Sequence, residues 1–199
     1  MELARFWQII DAAHKESQGS MDAACDSIRR AVSALSADEA RAFSAHFDAR
    51  MDEAYTWPLW GAAYVLRGGC SDDGFTDFRS VLISQGRAVF EAALADPESL
   101  AGLKIPDEDW DYEGFQYAVS DGVESACGES PPRANPYPEE PSGEEWDEDE
   151  VESLFPKLAA RAAGEAPARP PSKESGKKGC SLVLFAGLAV VAETARRLL

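Results

Sequence analysis

Twelve residues, GGCSDDGFTDFR from Gly68 to Arg79, hold the densest set of reactive side chains in this chain of 199 residues. Within them, Asp72, Asp73 and Asp77 follow the pattern DDxxxD. Carboxylates on successive turns of a helix can hold a hard cation such as Mg²⁺ through oxygen ligands. One interpretation is therefore a metal-dependent enzyme that uses these three aspartates as ligands or as acid–base groups.

The same residues also fit the start of a helix. Ser71 can act as an N-cap, because its hydroxyl can accept a hydrogen bond from a backbone N–H of the first turn. Asp72 and Asp73 then lie where the helix dipole favours carboxylates. Arg79, seven residues after Asp72, approaches the same side of the helix. The stretch is thus either a site or a capped junction between two helices.

Cys70 immediately precedes this helix start, where the dipole can lower the pKa of a thiol. A catalytic base for it would have to be His14 or His46, the two histidines of the chain. His14 falls on the apolar face of the first predicted helix, and His46 falls off the apolar face of the third. No further residue can be named that would orient such a pair, so a Cys–His nucleophile is disfavoured.

The preferred interpretation is a non-catalytic module that binds a protein or a small ligand around this stretch. Three aromatic residues of the preceding helix, Trp57, Trp60 and Tyr64, could line a pocket, although aromatic residues at helical spacing more often form a core. No cofactor is expected, apart from Mg²⁺ or another divalent cation under the enzyme interpretation. The candidate binding residues are Trp60, Tyr64, Cys70, Ser71, Asp72, Asp73, Asp77, Arg79 and Arg87.

Helices must position these residues, since apolar residues recur every three or four positions through most of residues 1–127. No stretch alternates long enough to indicate a strand. Ser36 and Glu39 form an S-x-x-E capping box, Pro58 suits a first helical turn, and Gly68–Gly69 can end a helix. The predicted fold class is all-α, a compact bundle of about six or seven helices with antiparallel neighbours.

The composition changes after residue 127, and the predicted organisation changes with it. Residues 128–150 are rich in proline, glycine and glutamate and predict a mostly disordered acidic linker. Residues 151–164 predict a short amphipathic helix, residues 165–178 a basic flexible linker and residues 179–199 an apolar helix. The acidic run Glu144–Glu152 is typical of a solvated tail, and a docking surface for a basic partner is the alternative.

The apolar run near the carboxyl terminus, from Cys180 to Ala192, has 13 residues. Crossing the hydrocarbon core takes about 20 residues at helical rise. The flanks Lys177–Lys178 and Arg196–Arg197 nonetheless resemble interfacial anchors. Three interpretations stay open for residues 179–199: a helix docked on this protein or a partner, a membrane-surface tether that would make the chain an adaptor, or disorder.

The net charge of −17 is concentrated in residues 106–153, which carry 17 acidic residues against Arg133 alone. Such a surface repels nucleic acid and excludes it as a partner. The four cysteines are far apart and form no CxxC pair, which is typical of neither a zinc site nor a disulfide framework. Without an apolar leader at the amino terminus, the expected location is the cytoplasm. The oligomeric state is not indicated.

Three segments together resemble a known family: FWQIIDAA, LSADEARAFSAHFDARMDEAY and LWGAAYVLRGGCSDDGFTDFRSVLISQGRAVFEAALADPESLA. Over roughly Met1–Leu103 the chain resembles the bacterial family known as domain of unknown function 4240, and the GGCSDDGFTDFR core is the most specific part. The resemblance implies an α-helical bacterial domain. It implies no activity, substrate or catalytic residues, and the acidic linker and the apolar tail lie outside it.

Overall fold

The structure, a computed structural model, describes residues 1–165. This part of the chain forms nine α-helices, two 3-10 helices and no β-strand. The predicted all-α bundle is confirmed, with seven α-helices in residues 1–127. The α-helices are α1 Leu3–Ser17, α2 Met21–Ser33, α3 Ala37–Glu53, α4 Trp57–Arg67, α5 Asp72–Ser84, α6 Arg87–Ala95, α7 Gly114–Cys127, α8 Val151–Leu154 and α9 Pro156–Glu165; the 3-10 helices are Pro97–Gly102 and Asp107–Asp111.

Side chains set the starts of several helices. At α3, Ser36 Oγ accepts from the N–H of Glu39 at 3.4 Å, and the Glu39 carboxylate accepts from the N–H of Ser36 at 3.2 Å, which confirms the capping box. At α5, Ser71 Oγ accepts from the N–H of Gly74 at 3.1 Å. Ser71 is therefore the N-cap, and the stretch GGCSDDGFTDFR is at least a capped helix junction.

Glycines end or interrupt the helices where the backbone turns. Gly68 follows α4 with φ of 65°, the left-handed conformation that commonly ends a helix. Gly86, with φ of 92°, separates α5 from α6. The segment that follows Asp96 forms a 3-10 helix, with Asp96 Oδ1 accepting from the N–H of Glu98 at 3.0 Å.

α5 lies at the centre of the bundle and packs against α1, α3, α7 and the second 3-10 helix. From Phe75 to Ser84, every side chain except that of Thr76 is buried. Most amphipathic helices bury one stripe only. Because α5 is buried on all sides, its two charged residues in this stretch, Asp77 and Arg79, are buried as well.

The folded unit runs from Met1 to Ala166, and does not stop at the predicted boundary of 127. Residues 128–150, here named the acidic strap, contain no helix but lie against the bundle instead of forming a disordered linker. Arg133 pairs with Asp52, and Trp146 packs on Tyr64 of α4. The prediction of disorder rests on the average composition of the strap. Average composition gives no weight to the few residues that anchor the segment.

Helices α8 and α9 complete the core. Pro156 starts α9, and Phe155 and Leu158 are buried with the core side chains of the bundle. Arg161 donates to the carbonyl oxygens of Leu100 at 2.9 Å and Leu103 at 2.6 Å, which attaches α9 to the end of the first 3-10 helix. The predicted amphipathic helix at 151–164 is therefore two helices that pack on the bundle.

Within residues 1–165, no helix has both the length and the apolar composition needed to cross a membrane. The predictions for the basic linker beyond residue 165 and for the apolar helix at 179–199 fall outside the described residues.

A comparison of two leucines tests whether α9 belongs to the core. We expect Leu158→Ala to lower the free energy of unfolding by about 2–4 kcal/mol, because Leu158 is 0% exposed. Leu154→Ala is the matched control, since Leu154 is 54% exposed and its loss should cost less than about 0.5 kcal/mol. Urea unfolding of the full chain measures both, and equal values for the two variants would contradict this packing.

Candidate functional site

A cleft of about 390 Å³ opens between α3, α5, α7 and the acidic strap. We name it the Arg79 cleft, after the buried cation in its wall. Its volume lies within the range of about 300–1,000 Å³ that small-molecule sites occupy. The lining residues are Ser44, Phe47, Asp48, Met51 and Asp52 from α3, Tyr55 just after α3, Asp72, Thr76 and Arg79 from α5, Gln116, Val119 and Ser120 from α7, and Arg133, Tyr137 and Pro138 from the strap.

Arg79 is only 8% exposed, yet it lines the cleft. Its Nε–H donates to the carbonyl oxygen of Phe75 at 3.3 Å, Nη1 donates to that of Met51 at 2.9 Å, and Nη2 donates to Oγ1 of Thr76 at 2.9 Å. These bonds use three of the five guanidinium N–H groups. Among the side chains that the structure describes, no carboxylate lies within ion-pair distance of Arg79, so its charge has no direct counterion there.

Two aromatic rings cover the guanidinium of Arg79. Its Cζ lies 4.6 Å from the ring centre of Tyr55 and 5.1 Å from that of Phe75. The electron-rich faces of such rings attract a cation. Burial lowers the pKa of Arg79 from its usual value, while Tyr55, Asp72 and Asp52 act in the opposite direction. An arginine nevertheless stays charged at neutral pH, so the cleft has a buried cation in its wall.

Arg133 holds the strap side of the cleft and is neutralised there. Its Nη2 donates to both carboxylate oxygens of Asp52, at 2.7 and 2.6 Å, and its Nη1 lies 3.7 Å from Asp48. The guanidinium packs on the ring of Tyr137, with Cζ 3.9 Å from the ring centre. Burial raises the pKa of Asp48, and Arg133 acts against that rise. Arg133 thus has two carboxylate partners, whereas Arg79 has none.

Asp77 is bonded to a residue of the cleft but does not line it. Gln116 Nε2 donates to Asp77 Oδ1 at 2.8 Å. Asp77 is 8% exposed, and burial, together with the carboxylates of Glu113 and Asp111, raises its pKa to about 6. Arg67 opposes this rise from the end of α4. Asp77 is therefore a buried carboxyl group that takes up a proton more readily than an ordinary aspartate.

The DDxxxD carboxylates do not form one ligand set. Asp72 and Asp73 are exposed in the first turn of α5, whereas Asp77 is buried one turn later. In the described part of the chain, no group of three or more His, Cys, Asp or Glu side chains is arranged to hold a metal ion. Of these three aspartates, only Asp72 belongs to the cleft.

Cys70 is packed into the helix junction. Its Sγ accepts from Arg67 at 3.7 Å and donates to the carbonyl oxygen of Ser71 at 3.6 Å. Burial raises the pKa of the Cys70 thiol, the reverse of the lowering that its place at a helix start suggested. His46 is bonded elsewhere, with Nε2 3.0 Å from the carbonyl oxygen of Met1. Cys70 therefore has the surroundings of a structural thiol.

The two aromatic candidates, Trp60 and Tyr64, lie in different parts of the structure. Trp60 stacks on Phe75 with ring centres 5.0 Å apart, and its Nε1 donates to the carbonyl oxygen of Cys70 at 3.0 Å. Trp60 thus joins α4 to the start of α5. Tyr64 instead faces the strap, where it packs on Trp146 with ring centres 5.1 Å apart and bonds Glu148 through its hydroxyl.

Arg87 does not belong with the other candidates. It lies in the first turn of α6, where its N–H donates to Asp11 Oδ1 at 2.9 Å and its guanidinium pairs with Glu91 at 2.7 Å. The structure therefore brings Asp72 and Arg79 into the cleft, leaves Trp60, Cys70 and Ser71 in the junction, and separates Arg87 from both.

Sequence reasoning missed most of the lining residues, including four that shape the cleft: Tyr55, Gln116, Arg133 and Tyr137. No local sequence pattern marks Tyr55, Gln116 or Tyr137, because only packing of distant segments brings them to the cleft. Arg133 did carry one, since it is the sole basic residue among the 17 acidic residues of 106–153. A lone cation in such a segment indicates a specific carboxylate partner, which Asp52 proves to be.

Protonation of Asp77 should make stability depend on pH. Because its pKa of about 6 in the folded chain exceeds the ordinary value of 3.8, the folded state binds more protons between these values. The free energy of unfolding therefore falls as pH rises from about 4 to about 6. We expect Asp77→Asn to remove this loss and to raise the free energy of unfolding at pH 7 by about 1–3 kcal/mol, with no gain near pH 4.

Urea unfolding across this pH range measures the effect of Asp77→Asn. Asp73→Asn, at an exposed position of the same helix, is the control and should show no gain that grows with pH. A lower stability of Asp77→Asn than of the wild type at pH 7 would show that ionised Asp77 stabilises the fold, contrary to this expectation.

A family model described as Protein of unknown function (DUF4240) matches residues 1–124. The chain belongs to this family, as the resemblance over roughly residues 1–103 indicated. No curated protein and no solved structure matched the chain. The match includes the cleft residues of α3, α5 and α7 but ends before Arg133 and Tyr137, so the strap wall of the cleft lies outside it.

Proposed function

We propose that this DUF4240 protein is a non-catalytic binding module, and that it takes a small ligand with a carboxylate or phosphate group in the Arg79 cleft. The observation that carries this proposal is the guanidinium of Arg79, which is buried in the cleft wall without a direct counterion among the described residues. An anionic ligand group would supply that counterion.

The energetics of a buried charge support the proposal. Moving a charged group out of water is costly unless hydrogen bonds and opposite charges replace the lost hydration. Arg79 has replaced part of it through two carbonyl oxygens, one hydroxyl and two aromatic rings. The two remaining N–H groups of its planar fork suit an oxyanion, which arginine binds more specifically than lysine does.

The neighbouring carboxylates favour a ligand that is small and not highly charged. Asp48, Asp52 and Asp72 all line the same cleft as Arg79, and a polyanion would meet their repulsion. Tyr55 and Met51 offer apolar surface beside the guanidinium, against which a short carbon skeleton could pack. A metabolite-sized monocarboxylate or phosphate ester therefore fits better than a nucleic acid or an acidic protein.

Binding is favoured over catalysis by what surrounds the cation. Among the described residues, no cysteine or histidine lines the cleft. The thiol of Cys70 has a raised pKa and lies in the helix junction, and Asp77 does not line the cleft. No pair of a nucleophile and a hydrogen-bonded base, the usual arrangement for covalent catalysis, faces the cavity.

Thermal and urea unfolding with added anions tests the proposal. Acetate, succinate and inorganic phosphate are compared with chloride at constant ionic strength. We expect at least one of the three to stabilise the wild type in a saturable way, by about 2.7 kcal/mol at a hundredfold excess over its dissociation constant. Arg79→Lys should bind that anion at least about tenfold more weakly, because an ammonium group cannot make the bidentate contact.

Arg87→Lys is the matched control, since Arg87 is exposed and lies away from the cleft, and it should respond to anions as the wild type does. The Nε–H resonance of Arg79 in a ¹⁵N-labelled chain gives a second measurement and should shift during the same titration. No saturable effect of any of the three anions, or an equal response of Arg79→Lys and wild type, would refute the proposal.

A further inference from the structure

We infer that the face of α4 formed by Thr56, Trp57, Gly61 and Tyr64, here named the α4 groove, is a docking site for an acidic peptide segment that carries a tryptophan. In this chain residues 142–148 of the acidic strap fill the groove and act as its internal ligand, whereas Phe155 belongs to the core. The external partner is a protein segment of the same chemistry, which would compete for the groove. This inference does not rest on the proposed anion site.

Trp146 is the anchor of the internal ligand. Its indole Nε1 donates to the carbonyl oxygen of Trp57 at 2.9 Å, and its ring meets the ring of Trp57 edge-on with centres 6.0 Å apart. The ring also packs on Tyr64, whose hydroxyl bonds Glu148. A tryptophan followed two residues later by a carboxylate therefore satisfies both polar contacts of the groove. Large aromatic anchors of this kind dominate the affinity of many interfaces.

Gly61 makes the hollow that receives these aromatic rings. A Cβ at this position would lie 2.7 Å from Cε2 of Phe155 and 3.0 Å from Nε1 of Trp146. Contacts this short are closer than packed side chains allow, so an alanine would push both rings outward. The groove thus accepts the indole of Trp146 beside the core ring of Phe155, because residue 61 has no side chain.

The backbone of the internal ligand is also held in the manner of a bound peptide. The N–H of Ser142 donates to the carbonyl oxygen of Tyr55 at 3.0 Å, and the N–H of Trp57 donates to the carbonyl oxygen of Ser142 at 2.8 Å. These two bonds form a short parallel bridge between Thr56 and Ser142. Pairing of an extended segment with exposed backbone groups is a common mode of peptide recognition.

Several observations indicate that this segment can leave the groove while the bundle stays folded. The strap has no helix among its residues and lies outside the family match. Within the described part of the chain, none of the carboxylates of residues 139–152 forms an ion pair, so only neutral contacts and the bond to Tyr64 hold this stretch. α9 is attached independently, through the bonds of Arg161 to the first 3-10 helix.

A labelled peptide with the sequence of residues 139–150 tests the inference on the full chain. Trp146→Ala should vacate the indole position of the groove, and we expect this variant to bind the peptide with a dissociation constant in the micromolar range by fluorescence anisotropy. The wild type should bind it at least tenfold more weakly, because its own segment competes. Adding Gly61→Ala to Trp146→Ala should weaken peptide binding at least tenfold.

The control peptide has alanine in place of its tryptophan and should not bind. If folded Trp146→Ala binds neither peptide, or binds both equally, the inference is wrong. If circular dichroism shows that Trp146→Ala does not fold, the test uses the wild type instead. The indole N–H resonance of Trp146 is assigned by its loss in Trp146→Phe. Millimolar peptide should move the chemical shift of this resonance towards that of a solvent-exposed indole. An unchanged resonance would overturn the inference.

Discussion

The complete burial of α5 is the constraint on which the rest of the structure depends. A helix with one buried stripe can send its charged residues to solvent, but the stretch from Phe75 to Ser84 has almost no exposed side. Asp77 and Arg79 are consequently removed from water, and the neighbouring helices must supply what hydration would have supplied. For Arg79, α3 supplies the Met51 carbonyl oxygen and the segment just after α3 supplies the Tyr55 ring, and for Asp77, α7 supplies Gln116. The Arg79 cleft lies where protein groups replace the lost hydration of a buried charge only in part.

The acidic strap joins the two surfaces to which we assign binding. Near its start, Arg133 and Tyr137 form a wall of the Arg79 cleft, and near its end Trp146 lies in the α4 groove. The strap lies beyond the matched family region, so a member of the family could keep the helical bundle while presenting both surfaces differently. A partner that removes Trp146 from the groove would also loosen one end of the segment that forms the cleft wall. The strap therefore provides one route by which the two proposed ligands can influence each other.

Local sequence chemistry predicted the helices well because their ends are set by neighbouring residues. Ser36 with Glu39, and Ser71 with the amide that follows it, form caps that need no information from elsewhere in the chain. The burial of Arg79 could not be predicted in this way, because the apolar pattern of α5 indicates one buried face and not a position at the centre of the bundle. The position of the strap could not be predicted for another reason. Average composition does not reveal a single anchoring residue such as Trp146, whose place on α4 depends on the absence of a side chain at Gly61.

The strap also gives the protein an unusual response to ionic strength. Residues 139–152 carry nine carboxylates, and in the described part of the chain none of them is paired with a basic side chain. Their mutual repulsion works against the neutral contacts that hold Trp146 in place. Dissolved ions screen such repulsion over about 10 Å at 0.1 M salt. Added salt weakens a surface that is held by ion pairs. It strengthens the attachment of this end of the strap, because it screens the repulsion between the carboxylates. The α4 groove is therefore most accessible to a competing segment in dilute buffer.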